Sequence, residues 1–250
     1  MGIVTAVVMI YAGLCGFLYV AQRSLIYFPT PASSNAFAED LRVPSDGETI
    51  QVWKQGGDHD DAILYFGGNA EDVAHNSAQF ASLLPDKTIY LVNYRGYGES
   101  TGSPSEAAIL QDAQAVFNHV ATSHASVSVM GRSLGSGVAT YLAATESIDR
   151  LILVTPYDSM ANLAQSVYPM FPVSILLKDR YDSLSRAGEI DVPTLMLIAG
   201  SDEVIPNERS KSLAQAIAPT LLRVETIPDA MHNTIHGYAL YERALADFLR

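Results

Sequence analysis

Residues 126–145 read SVSVMGRSLGSGVATYLAAT, and the way this stretch folds decides the architecture. Ser126–Met130 is a strand-like run, and Leu134–Thr145 carries a helical pattern. Between them stands Gly131-Arg132-Ser133-Leu134-Gly135, the pattern G-x-S-x-G. A serine at the tip of so tight a strand-to-helix turn has strained dihedrals, and side chains in place of the flanking glycines would clash. The turn lifts the hydroxyl clear of the sheet, and the next helix points its first N–H groups toward developing negative charge. Five residues alone match by chance in many loops, so the strand before and the helix after carry the weight. The bland alternative is a glycine-containing turn with an incidental serine.

Outward from that turn, short apolar runs alternate with helical patterns. The expected strands are Ile50–Trp53, Ala62–Phe66, Thr88–Val92, Ser126–Met130, Leu151–Val154, Thr194–Ile198 and Leu222–Ile227. The expected helices are Ala70–Leu84, Ser105–Thr122, Leu134–Thr145, Asn207–Ile217 and Gly237–Leu249. Continuously apolar strands suit a sheet covered on both sides. The alternation predicts an α/β fold, a mostly parallel central sheet with helices on both faces. Residues 156–190, with Tyr168-Pro169-Met170-Phe171-Pro172 among them, break the rhythm and read as a small cap insertion. Ligands in such sheets bind beyond the carboxyl ends of the strands, where that insertion would shape a pocket.

A serine hydroxyl needs a base to take its proton, and histidine has the suitable pKa. Six histidines are present. The order serine, acid, histidine expected of this turn leaves His232 and His236. His232 follows the last strand and precedes the final helix, where a loop reaches back over the sheet edge; His236 reads as a surface or first-turn residue. The acid should follow the penultimate strand, which points to Asp202 in Gly200-Ser201-Asp202-Glu203. Glu203 and Asp158 are the alternatives, and Asp202 has the bland reading of a helix cap before Pro206. Acyl transfer also needs two fixed N–H donors for the tetrahedral oxygen, each worth roughly 3 kcal/mol of barrier. Leu134 N–H supplies one, and Asn69 N–H, after the paired Gly67 and Gly68, supplies the other.

The N-terminus carries a second signal. Residues 3–21 contain no charged side chain, and Gln22 and Arg23 follow. At ~1.5 Å each, such a run nearly covers the ~30 Å hydrocarbon layer of a bilayer. Residues 1–23 are therefore expected to be a transmembrane anchor, with 24–250 as one domain; a signal peptide or a buried core helix is the alternative. A net charge of −12 without a Lys/Arg cluster disfavours nucleic acid as a partner. The single cysteine, Cys15, excludes intrachain disulfides and cysteine-based zinc sites. No cofactor is expected; His232 and His236 at i, i+4 are a poor metal pattern without H-E-x-x-H.

Taken together the chain resembles the α/β-hydrolase superfamily, in its BEM46-like or ABHD13-like branch. The matching segments are QRSLIYFP (22–29), YFGGNAED (65–72), NYRGYGES (93–100), GRSLG (131–135), YPMFPVSILLKDRYDS (168–183), GSDEVIP (200–206) and His232-Asn233. They run in the family's order over almost the whole chain. One departure is Gly67-Gly68 where many relatives have His-Gly, which leaves the backbone donor intact. The resemblance implies an α/β-hydrolase fold with a small cap and an N-terminal anchor, acting on a small-molecule or acylated substrate. Relatives are variously esterases, thioesterases acting on acylated proteins, lipases or serine aminopeptidases. Gly96 and Gly98 read as loop glycines, Tyr94 and Arg95 as packing or loop-tethering residues, and Arg180 and Asp182 as a surface pair or, alternatively, as residues lining the site. Three functions therefore stand open: ester or thioester hydrolysis through Ser133, His232 and Asp202; aminopeptidase chemistry on the same residues; and a catalytically silent binding module. A dehalogenase would want a carboxylate where Ser133 stands.

Overall fold

The structure is a computed structural model and describes residues 2–250. Eight strands form one sheet in the order β1-β2-β4-β3-β5-β6-β7-β8. They are β1 (Glu39–Ser45), β2 (Glu48–Gln55), β3 (Asp61–Phe66), β4 (Thr88–Val92), β5 (Ser126–Arg132), β6 (Leu151–Val154), β7 (Thr194–Ala199) and β8 (Leu222–Ile227). β1 and β2 pair antiparallel, as do β2 and β4, and all remaining pairs are parallel. This is the mostly parallel α/β sheet expected from the alternation.

The longer helices are α1 (Ile3–Ile26), α2 (Ser77–Leu83), α3 (Glu106–Ala121), α4 (Leu134–Thr145), α5 (Met160–Val167), α8 (Asn207–Ala216) and α9 (Ala239–Leu249); α6 (Val173–Leu176) and α7 (Ser183–Arg186) are single turns. The pleat divides the core in two. On β3, Leu64 and Phe66 face one cluster, while Ile63 and Tyr65 face the other. The first lies under α3, α4 and α8 through Val116, Leu142 and Leu213. The second lies under α2 and α9 through Phe80 and Leu245. Each such side chain, fully buried, contributes ~1.5–3 kcal/mol relative to exposure.

Two expectations need correction. No strand was expected at Glu39–Ser45, yet β1 forms a hairpin with β2. Its turn is Asp46-Gly47, with φ of 48° and 78°, the positive pair that suits the twist of a two-residue hairpin. β1 is an edge strand with Asp40, Arg42 and Pro44, and so lacks the apolar run of a central one. At the opposite edge, β8 presents Arg223 and Glu225. The expected helix Ala70–Leu84 is instead a turn, a short 3₁₀ segment (Val73–Asn76) and α2. Ala70 has φ 58°, which no α-helix admits, and Asp72 caps the 3₁₀ segment by accepting Ala74 N–H at 3.1 Å.

α1 runs to Ile26, three residues past the expected anchor, and its most apolar window has no buried residue, which removes the core-helix reading. It is long and apolar enough to cross a membrane. Its foot meets the sheet's carboxyl edge, where the register also places the loops that matter. Phe66 pairs with Gly131, and Ala199 with Ile227, so the loops after β3 and β5, and those after β7 and β8, leave the sheet side by side.

Candidate active site

Ser133 joins β5 to α4 with φ 50° and ψ −115°, a conformation that L-residues hold only when their surroundings force it. The surroundings do so without slack. A Cβ on Gly131 would run into the Gly135 carbonyl, and one on Gly135 into the Phe66 and Gly67 carbonyls. Both glycines are thus demanded by backbone approach. Ser133 itself stays half-buried, and its carbonyl accepts Ser136 N–H at 2.9 Å as α4 begins.

His232 reaches that hydroxyl: Nε2 lies 3.0 Å from Ser133 Oγ. On the other side of the ring, Nδ1 is 2.9 and 3.0 Å from the two oxygens of Asp202. The Asp202 carboxylate is fixed in turn, since Oδ1 accepts the N–H groups of Val204 at 2.9 Å and Ile205 at 2.8 Å. These bonds close the Asp202–Ile205 turn without capping α8, whose N-cap is Pro206 with no side-chain cap, so the helix-cap reading of Asp202 is not met. The arrangement keeps the Nδ1 proton toward the carboxylate and leaves Nε2 free to accept from the serine. His232 is 4% exposed, so this pair operates away from bulk water. Glu203, the neighbouring candidate, is exposed and acts elsewhere, accepting the His232 backbone N–H at 3.0 Å. Asp158 is buried and engaged with Arg209 at 3.2 Å and Asn162 at 3.0 Å. His236 is exposed.

Among the described residues, neither Leu134 N–H nor Asn69 N–H donates to another protein group. Leu134 follows Ser133 directly, and the residue before Asn69 comes close to it: a Cβ on Gly68 would stand 3.6 Å from Ser133 Cβ. The Asn69 side chain ties this loop outward. Its Nδ2 donates to Ile26 O at 2.6 Å, and its Oδ1 accepts from Phe28 N at 3.0 Å and Tyr97 Oη at 2.8 Å.

Two residues that carried no assignment in the sequence brace the whole rim. Glu71 and Arg132 form a largely buried ion pair at 2.5 Å. Glu71 also accepts Gly68 N–H at 2.6 Å, Tyr65 Oη–H at 2.7 Å and Asn76 Nδ2–H at 2.7 Å. Arg132 donates to Asn233 Oδ1 at 2.7 Å and to His232 O at 3.4 Å. One pair thus links the loop after β3, the turn at Ser133 and the loop bearing His232. Burial by itself would raise the Glu71 pKa, but the Arg132 charge and the three donated hydrogen bonds outweigh it and hold the carboxyl below its ordinary value. Burial pushes the Tyr65 phenol well up, so it serves as a donor. The only advance sign was that Glu71 and Arg132 stand inside the two glycine-rich motifs.

The remaining expectations divide. Tyr94 Oη donates to Gly67 O at 2.6 Å and Arg95 forms a buried bidentate pair with Asp112, as loop-tethering residues should. Arg180 and Asp182 do not pair. Arg180 turns to the Ser174 and Leu177 carbonyls, while Asp182 caps α7 through Ser185 N–H. Among the described residues no cluster of His, Cys, Asp or Glu is arranged to hold a metal ion.

Comparison with known proteins gives the same outline. The family model described as alpha/beta hydrolase fold matches residues 61–183, and that described as serine aminopeptidase, S33, matches residues 173–237. An uncharacterized protein of Mycobacterium tuberculosis is 32% identical over 247 residues, covering 92% of this chain and 87% of that one. Protein bem46 of Schizosaccharomyces pombe is 28% identical, covering 94% and 87%. Among solved structures, a Pyrococcus furiosus esterase superposes with a TM-score of 0.71 at 15% identity, covering 89% of this chain and 98% of that one.

Proposed function

The chain belongs to the α/β-hydrolase family, and from that premise we propose that it is a serine hydrolase of carboxylic esters or thioesters. The observation that carries the reading is Ser133 Oγ at 3.0 Å from His232 Nε2, on a strained turn, with Asp202 against the opposite ring nitrogen. Ser133 Oγ attacks the acyl carbon while its proton passes to Nε2. The oxyanion is held by the N–H groups of Asn69 and Leu134, in a position set by the backbone. Nε2 then protonates the departing alkoxide or thiolate, leaving an acyl-serine. Water, deprotonated by the same nitrogen, attacks that ester and restores the enzyme. Asp202 orients the ring and offsets the imidazolium charge that forms twice per cycle.

The reading includes α1 as a membrane anchor, supported by its length, its apolar composition and its exposure. An enzyme held in this way meets acyl groups that partition into bilayers, so lipid-derived or acylated substrates suit it. The test is labelling with a fluorophosphonate, wild type beside Ser133→Ala, followed by a panel of soluble and vesicle-borne acyl esters and thioesters. Labelling should depend on Ser133; an unlabelled wild type in folded, monodisperse protein would sink the proposal. A second reading, cleavage of an N-terminal peptide bond, is favoured by the match of residues 173–237 to serine aminopeptidases. Aminoacyl-anilides separate the two, since turnover of them in preference to acyl esters would choose the peptidase.

A further inference from the structure

The cap between β6 and β7 has an apolar tip whose outer face, at Tyr168, Met170 and Ile175, is left uncovered by protein. From Met160 to Leu177 the chain contains no Asp, Glu, Lys or Arg. Within that stretch Tyr168 is 58% exposed, Met170 72% and Ile175 77%. Such a patch on a water-facing surface marks an interaction site, and three independent features identify what covers this one.

The first is continuity with α1. Tyr11 stacks on Phe171, with ring centroids 5.9 Å apart and 3° between planes, and its hydroxyl donates to Met170 O at 2.7 Å. Eleven residues further along α1, Gln22 holds the base of the cap, donating to Leu176 O at 3.1 Å and accepting Lys178 N–H at 2.7 Å. At ~1.5 Å per residue those two clasps lie roughly 16 Å apart along the helix, about half the ~30 Å hydrocarbon thickness. The tip therefore runs beside the half of α1 nearest the sheet.

The second is how the tip treats its own backbone. Every carbonyl from Tyr168 to Ser174 accepts a hydrogen bond from within the protein. Gln165 folds its amide onto Pro169 O and Val173 N, Tyr11 takes Met170 O, Arg180 takes Ser174 O, and backbone N–H groups take the others. Water would satisfy an exposed loop without such care. Irregular backbone at membrane depth favours such pairing, because each unpaired group there costs several kcal/mol. In residues 167–177 the Met170 and Ser174 N–H groups and the Val167 and Ile175 carbonyls are left without a protein partner among the described residues.

The third is the abrupt return of charge. Lys178, Asp179 and Arg180 follow the apolar stretch at once, and they sit level with Arg23. Arg23 Nε donates to the buried Asp179 at 3.1 Å, and Lys178 Nζ lies 3.9 Å over the Tyr19 ring. This collar of charges and an aromatic ring matches the composition of a membrane–water boundary.

We propose that the cap tip, residues 167–177, is seated in the hydrocarbon of the bilayer leaflet nearest the sheet, alongside α1. The inference rests on α1 being a membrane anchor and deepens it. Asn69 joins the foot of α1 to the loop beside Ser133, so that loop stands next to the last turn of α1, which carries the charged collar. The substrate class that follows is an acyl chain drawn sideways from that leaflet.

The experiment uses the full chain in phosphatidylcholine vesicles. In a Cys15→Ser background, single cysteines are introduced as Met170→Cys, Ile175→Cys, Val7→Cys on α1 and Asp58→Cys on the far side of the sheet. Each is labelled with an environment-sensitive fluorophore and compared in vesicles with and without lipid carrying a nitroxide on its acyl chain. The proposal expects probes at 170 and 175 to lose most of their emission, as the probe at 7 does, while the probe at 58 keeps its own. Quenching at 7 with water-like emission at 170 and 175 overturns the seated cap and leaves the anchor standing. Unquenched emission at 7 overturns the anchor, and the seated cap with it.

Discussion

At Ser133 the chain is held by contacts that leave no room, with glycines at 131 and 135 pressed on neighbouring carbonyls. At the cap tip it is held by donors sent from far away in sequence, Tyr11 to Met170 and Gln22 to Leu176. The first region fixes atoms to within a hydrogen bond and tolerates little substitution. The second fixes mainly polar backbone groups and leaves Tyr168, Met170 and Ile175 outward. The proposed chemistry needs the former kind of holding and the proposed bilayer contact the latter, because a fluid partner selects apolarity and not shape.

The contrast breaks first at the acid. Asp202→Asn keeps the shape of the turn but no longer stabilises the imidazolium, so kcat for a short soluble ester should fall by about 10⁴. A fall of less than ~10-fold, against the ~10⁴ of a true orienting acid, would mean that His232 is held by other groups. Arg132→Met comes next. It strands the Glu71 carboxylate in a largely buried site, and urea unfolding should report a loss of about 3–5 kcal/mol. The double variant Glu71→Gln with Arg132→Met should recover part of that loss, whereas additive losses would show that the two side chains act separately.

Acid sharpens the same point. Glu71 is held below its ordinary pKa in the folded state, so its contribution is complete above the unfolded-state value, near 4.5. It is lost as pH falls through the depressed folded value. Wild-type stability should therefore drop on acidification below about pH 4.5, and Glu71→Gln should flatten that limb. The smallest effect belongs to the link between the two regions. Asn69→Ala removes the bonds to Ile26 and Phe28 but keeps its backbone N–H, so the loss should be about 1 kcal/mol, or roughly fivefold in kcat. A loss as large as that at Asp202 would assign the Asn69 side chain a direct part in the reaction.

Central strands were legible because burial on both faces demands continuous apolar runs, and the turn at Ser133 because its glycines are obligatory. Asp202 and His232 followed from their places after β7 and β8. What escaped was of two kinds. β1 is an edge strand whose charges and proline hide it from any apolar pattern, although Asp46-Gly47 announced its turn. The Glu71–Arg132 pair and the clasp of α1 on the cap join residues 61 and 154–159 positions apart, and no local propensity records such a meeting. The helix expected at Ala70–Leu84 failed for a related reason: Glu71 is drawn into the ion pair while Ala70 takes a left-handed backbone.

The two margins of the sheet have a further consequence. Copies seated as proposed in one bilayer share a plane and an orientation, so they collide edge to edge far more often than molecules tumbling in three dimensions. Unpaired strand margins under those conditions invite zippering into a continuous ribbon. Pro44 on β1 removes a donor, Asp40 and Arg42 keep their charges there, and β8 meets newcomers with Arg223 and Glu225. Crowding along a surface is thereby made compatible with a sheet that ends where it does.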